Sequence, residues 1–275
     1  MRLSSIKIFF KGRTGVGLYI ILGWLVVALL APFISPYNPI AINLHASLLP
    51  SSWAHPFGTD NYGRDTLTRL IYGAGVTFQV LGVVGLICIP GGIVLGLVAY
   101  FSRAFDAVLN IVIDSMLSLP GILFALVIVA AIGTGTINVS IAVGISQIPN
   151  IARVTRSSIV PLKHVEFVDA AKATGENSFS ILTKYILANS YQPIVVQSII
   201  RLGSAVIAVA ALSYIGLGVQ IPQAEWGAMM VSGAAYLAAD PWLVAVPGVA
   251  LISLVMGFNL FGDGLQYSLR EVLRG

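Results

Sequence analysis

Residues 166–175, Glu-Phe-Val-Asp-Ala-Ala-Lys-Ala-Thr-Gly, set two carboxylates and a lysine among small residues, between two long apolar runs. Carboxylates and a lysine at this spacing, with no histidine or hydroxyl pair among them, suit ionic docking rather than bond making. Elsewhere the reactive side chains are sparse. His45, His55 and His164 are scattered through loop-like sequence without metal-ligand spacing. The one cysteine, Cys88, lies in an apolar run and allows neither an internal disulfide nor a thiolate cluster. No Gly-x-x-x-x-Gly-Lys-Ser/Thr phosphate loop occurs. Catalytic residues, metal ligands and cofactor-binding residues are therefore not expected from this chain.

Of the 275 residues, 57% are hydrophobic and 9% charged, and the mean hydropathy is +0.92. Soluble domains carry roughly 25% charged residues, so the fold class is an all-α integral membrane protein. The net charge of +4 comes from short basic stretches, not the continuous basic face of a nucleic-acid binder, and no nucleic acid is expected as a partner. A span needs about 20 mostly apolar residues, which gives about six candidates at 17–34, 78–101, 107–132, 137–151, 194–217 and 241–261. The fourth is short and contains Asn138, Gln147 and Pro149. The first has basic residues before it and no small-x-small cleavage site before Pro32, so it reads as an uncleaved span.

Lys/Arg asymmetry orients the bundle. Arg2, Lys7, Lys11 and Arg13, then Arg103, the group Arg153, Arg156, Lys163, Lys172 and Lys184, and finally Arg270 and Arg274 all fall on one side of a six-span topology. That side is expected to be cytoplasmic, with both termini there. The opposite loops hold Arg64 and Arg69, offset by Asp60 and Asp65. The expected division is residues 1–77 (tail, first span and outer segment) and 78–275 (core), with the polar stretch inside a loop at about 160–190.

On the outer side, Gly58-Thr59-Asp60 and Gly63-Arg64-Asp65 form a turn-rich motif. Asp60 and Asp65 can accept backbone N–H bonds in turns or at a helix start, and Thr66–Tyr72 reads as a short interfacial helix. Residues 219–240 hold Glu225, Trp226 and Asp240; the aromatics suit the membrane boundary, and the two acids are either binding-protein contacts or ordinary solvated charges. Within the spans, Gly92/Gly96 and Ser204/Ala208 have small-xxx-small spacing, for packing inside this bundle or against a partner. Asp114 and Arg201 are expected to snorkel or pair with each other, with a place in a solute path as the alternative.

The polar stretch reads as a helix with Val165, Val168, Ala171 and Lys172 on one side and Gly175 ending it. Asn177 or Ser178 then caps a second short helix through Phe179, Leu182 and Ile186, up to Pro193. Ala170 and Ala171 leave room for a partner surface, while Phe167 and Phe179 can fill pockets in it. An amphipathic elbow lying on the membrane is the other reading.

Asp169-Ala-Ala-x-x-x-Gly175, with Leu187 further on, resembles the Glu-Ala-Ala loop of permease subunits in ABC importers. Asp169 replaces the usual Glu, Tyr185 stands where Ile is common, and Ala188 takes the place of the final Pro. His55-Pro-Phe-Gly-Thr-Asp60-Asn-Tyr-Gly-Arg64-Asp65, Leu212-Ser-Tyr-Ile-Gly-Leu-Gly218, Glu225-Trp-Gly227 and Asn259-Leu-Phe-Gly-Asp263 are similar to the dipeptide, oligopeptide and nickel group, second permease of the pair. The resemblance implies a type I importer-like bundle in the inner membrane. It further implies a homologous permease beside the chain, two cytoplasmic ATPases below and a solute-binding protein above. The loop residues Glu166, Phe167, Asp169, Ala170, Ala171, Gly175, Phe179 and Leu187 would couple to the ATPases. The implied solute is a di- or oligopeptide, with nickel, a metal chelate or an opine as alternatives. An ion-coupled secondary transporter would want intramembrane acids or paired broken helices, and a membrane enzyme would want clustered His, Asp or Ser; the sequence offers neither convincingly.

Overall fold

The computed structural model describes residues 12–274; Arg2, Lys7 and Lys11 of the orientation argument lie outside them. Among the described residues the secondary structure is helical, apart from an isolated bridge between Thr59 and Asp65. Helix α1 spans Gly12–Ile34 and α2 Thr66–Val98. Helices α3 (Arg103–Leu117) and α4 (Gly121–Ile132) follow, then α5 (Thr136–Ile159). The polar stretch is α6 (Glu166–Ala173), and α7 runs over Ser178–Tyr214. Helices α8 (Trp226–Ala234) and α9 (Trp242–Arg274) complete the chain.

Among the described residues, four helices are long and apolar enough to cross a membrane: α1, α2, α7 and the Trp242–Leu269 part of α9. The third expected span is two helices, α3 and α4, meeting at 88°. Ser118-Leu-Pro-Gly121 interrupts it, because Pro120 lacks the N–H that would continue the ladder. The fourth is longer than expected, 24 residues, and its polar side chains explain its weak hydropathy signal. Ser140, Ser146 and Gln147 are buried against neighbouring helices rather than exposed to lipid. Helix α5 is the axle of the bundle, packed on α2, α4 and α7.

Close approach of α2 and α5 depends on glycine. A Cβ on Gly92 would lie 2.5 Å from Ile151 Cβ, and one on Gly96 2.5 Å from Thr155 Cβ. The first small-xxx-small pair is thus an internal seam. Helix α1 docks on α9, where Gly17 sits against the backbone of Gly257 and Phe261. Trp24 Nε1 donates to Ser253 Oγ at 2.8 Å across the same contact.

The short interfacial helix expected at Thr66–Tyr72 is instead the start of α2, which runs unbroken from Thr66 through residue 77 to Val98. Asp65 begins it, its Oδ2 accepting from Thr68 N at 2.7 Å. Trp226 is not an exposed boundary aromatic: it is fully buried, donates from Nε1 to Leu70 O at 3.0 Å and meets Trp24 edge-on at 4.9 Å. Gly73 makes room for its indole, since a Cβ there would come within 2.7 Å of the ring.

Candidate functional site

The elbow is built from Val165 to Leu187. Glu166 and Asp169 occupy the first turn of α6, where carboxylates complement the exposed N–H groups. Val168 and Ala171 turn inward and are buried with Ile159, Ile181, Leu182 and Ile186, against Leu97 in the last turn of α2 and Tyr100 just after it. The elbow thus has an apolar core of its own, welded to the end of α2. Lys163 Nζ adds a bond to Ala99 O at 2.6 Å.

Helix α6 ends in two reversed bonds. Gly175 N donates to Lys172 O at 3.0 Å and Glu176 N to Ala171 O at 3.1 Å, the Schellman arrangement. Gly175 has φ +84°, as the sequence leads one to expect. Asn177 is the next cap, with Oδ1 accepting from Ser180 N at 2.7 Å. The second arm differs from expectation. It passes through a π-helical turn at Leu182–Leu187 and continues as the long helix Ala188–Tyr214, with Pro193 inside. Neighbouring helices and local π adjustments let membrane helices carry proline, so Pro193 does not end the arm. The exposed elbow is therefore rigidly continuous with α7.

Sequence reasoning missed the clasp between the arms. Glu176 Oε1 accepts from Tyr185 Oη at 2.9 Å, and Oε2 accepts from Ser180 Oγ. These bonds, Ser180 first, hold the Glu176 carboxyl below its ordinary value. Tyr185, a departure from the Glu-Ala-Ala pattern, thus ties the loop shut; no spacing rule in the sequence marks it. Asp169 bonds Lys172 Nζ at 2.8 Å, which likewise lowers its carboxyl.

Exposure sorts the expected site residues. Glu166, Phe167, Asp169, Ala170, Gly175 and Phe179 are exposed, Phe167 by 40% and Phe179 by 68%. Ala171 is 6% exposed and lies in the elbow's core, so it offers no room to a partner, and Leu187 is only half-exposed. What faces solvent is two phenylalanines flanking a charged, small-residue helix.

The outer motif folds in on itself. Asp60 Oδ1 accepts from Tyr62 N at 2.9 Å and Arg64 N at 3.0 Å; Oδ2 meets Arg64 Nε at 2.7 Å and Arg69 Nε at 3.5 Å. Asp65 also meets His55 Nδ1 at 2.9 Å. The Thr59 hydroxyl accepts from Leu49 N at 2.8 Å. Gly58 and Gly63, both at φ +69°, sit where a Cβ would strike Leu49 O and Asn43 O. Arg69 Nη1 reaches Pro39 O at 2.8 Å and Pro222 O at 3.3 Å, pinning the two outer segments together.

Glu225 is neither a partner contact nor a solvated charge. It is 3% exposed and caps α8, accepting from Gly227 N and Ala228 N at 2.9 Å each. Burial pushes its carboxyl up. Asp240 is half-buried and accepts from Trp242 N at 3.0 Å. Asp114 and Arg201 do not pair: Asp114 bonds Arg153, and Asp106 bonds Arg156 Nη2 at 2.9 Å, stapling α3 to α5.

Residues 89–274 match the family described as the binding-protein-dependent transport system inner membrane component. The chain is similar to the dipeptide transport system permease protein DppC of Alkalihalophilus pseudofirmus, 38% identical over 92% of this chain and 84% of that one. It is similar to the di/tripeptide transport system permease protein DppC of Pseudomonas aeruginosa, 37% identical over 96% of this chain and 89% of the relative. The glutathione transport system permease protein GsiD of Escherichia coli is 36% identical over 91% and 84%.

Proposed function

The chain belongs to the family of binding-protein-dependent transport system inner membrane components, and on that premise we propose that it carries peptides as one of two paired permeases. The relatives named for dipeptide, di/tripeptide and glutathione transport support a small peptide as the solute. The second permease completes the pathway, two ATPases supply the hydrolysis, and a solute-binding protein delivers from the far side. Both termini and the elbow lie in the cytoplasm, on the side richer in Lys and Arg. The chain itself performs no bond chemistry.

One observation carries the coupling role: the elbow buries an apolar core while leaving Phe167 and Phe179 in solvent. Exposed aromatics on a stiff element are anchors for a partner's pocket. Because the second arm is the start of α7, a pull on the elbow is a pull on a span. ATPase closure can then shift the bundle between states, provided the docked contacts differ between them.

Gly175→Val tests this. A β-branched residue at φ +84° is strained, yet no heavy atom lies within 4 Å of the new Cβ, so insertion and packing are left alone. The expected result is normal membrane insertion with loss of uptake and of binding-protein-stimulated ATP hydrolysis. Asp169→Lys, which inverts the exposed charge, should do the same. Full uptake with normal stimulation in both variants would remove the coupling role from this loop.

A further inference from the structure

We propose that Arg201 is a solute-contacting residue that receives the carboxylate of the peptide inside the membrane. The inference rests on the peptide-permease reading and names a subsite within it. Arg201 lies midway along the Ala188–Tyr214 part of α7 and is half-buried. The other span-associated arginines with described ion pairs have carboxylate partners: Arg69 meets Asp60, Arg153 meets Asp114 and Arg156 meets Asp106. For Arg201, no carboxylate lies within 4.0 Å among the described residues. Its bonds go to a neutral amide one turn back. With its oxygen towards the guanidinium, Gln197 accepts from Arg201 Nε at 2.7 Å and Nη2 at 3.1 Å.

A guanidinium in mid-span without a counter-ion costs several kcal/mol on insertion scales, and such residues face cavities or partner chains, not lipid. Its amide partner Gln197 lines a cleft of about 330 Å³ between α5, α7 and α9, together with Gln192 and Gln266, and Arg201 follows one turn further along α7. Gln197, Arg201 and Ser204 follow one another at helical spacing along α7. Asn259, exposed on α9, lies beside Gly203. In an apolar bundle this is a polar stripe with one uncompensated charge in its middle.

The chemistry matches a peptide. Arg201 has five N–H donors in a planar fork, and Gln197 occupies only part of them. A free α-carboxylate fills the fork in bidentate fashion and supplies the missing charge. Amide side chains donate and accept, as peptide backbone does. An acid of the partner permease is the competing counter-ion, and the test separates the two.

The complete importer in proteoliposomes, with binding protein outside and ATP inside, is assayed for alanyl-alanine uptake and for stimulated ATP hydrolysis. Arg201→Gln is expected to cut uptake about tenfold while hydrolysis stays within about twofold of wild type. Arg201→Lys, a point charge without the fork, should restore part of the uptake. Uptake of alanyl-alanine amide, weaker in wild type, should not fall further in Arg201→Gln. Wild-type alanyl-alanine uptake by Arg201→Gln overturns the proposal. So does loss of stimulated hydrolysis or of permease pairing along with uptake, which assigns Arg201 to an ion pair with the neighbouring permease. A wild-type importer that moves no dipeptide sinks the peptide reading itself and this subsite with it, a result distinct from a defect confined to the variant.

Discussion

Asp60 and Glu225 are both buried carboxylates, and each is compensated differently. Asp60 is met by Arg64 and Arg69; Glu225 is met by two backbone N–H groups at the start of α8. Asp60→Asn keeps the shape but strands two buried guanidinium groups. Breaking such a buried network costs about 3–5 kcal/mol. Glu225→Gln keeps one accepting oxygen but turns its NH2 towards the second buried backbone N–H, and should cost about 1–3 kcal/mol. Thermal unfolding of the purified chain in detergent orders the two, and an Asn variant no worse than the Gln variant would show that the arginines find water instead. Glu176 gives a pH prediction. Its carboxyl is held below the ordinary 4.5, so the ionised clasp stabilises the elbow above that value and is lost as pH falls through the lowered one. Proteolysis at the elbow should rise on acidification below about pH 4.5, and Glu176→Gln should reduce that pH dependence to the part carried by the Asp169–Lys172 pair. A native elbow whose cutting rises nowhere between pH 7 and pH 3 contradicts the clasp.

Helix by helix, the sequence was legible wherever lipid alone sets the rule. Helices α1, α2, α7 and α9 are long apolar runs because a crossing segment must satisfy its backbone internally and hide little. The rule weakens where protein replaces lipid. Helix α5 carries Ser140, Ser146 and Gln147 in its buried surface, so hydropathy undersold the helix at the centre of the bundle. The break at Pro120-Gly121 was written in the chain, but the apolar run reads straight across it. In the elbow, Gly175 and Asn177 announced themselves through turn and cap chemistry. The Glu176–Tyr185 clasp did not, because a bond between residues nine apart follows no local period. Nor could spacing show that Ala171 faces in and Ala170 out until α6 had a core to face. The α2–α5 seam makes the packing argument testable. Gly96→Leu pushes a side chain into Thr155 and Ala152, with overpacking of about 1–3 kcal/mol. Gly82, with nothing within 4 Å of a new Cβ, is the control position. A Gly82→Leu variant should unfold close to wild type, and a Gly96→Leu variant several degrees lower.

For the molecule as a whole, everything proposed about coupling depends on which side of the membrane the elbow occupies. The charge argument gives a direction: basic residues gather on the elbow's side, and the outer segments neutralise Arg64 and Arg69 with Asp60. Cys88, the one cysteine of the chain, is fully buried, so an introduced thiol is the one a maleimide meets. Trp53, fully exposed in the segment between α1 and α2, and Phe179 on the elbow are suitable places for it. In intact cells making the permeases without their ATPases, a membrane-impermeant maleimide should label Trp53→Cys and leave Phe179→Cys untouched. Permeabilisation should then expose Phe179→Cys, and adding the ATPases should protect it again, because Phe179 is proposed to enter their pocket. Labelling of Phe179→Cys from outside would invert the topology and remove every contact argued for the elbow. Labelling from inside without protection by the ATPases would leave the topology standing and move the docking anchor away from Phe179, leaving Phe167 to carry it.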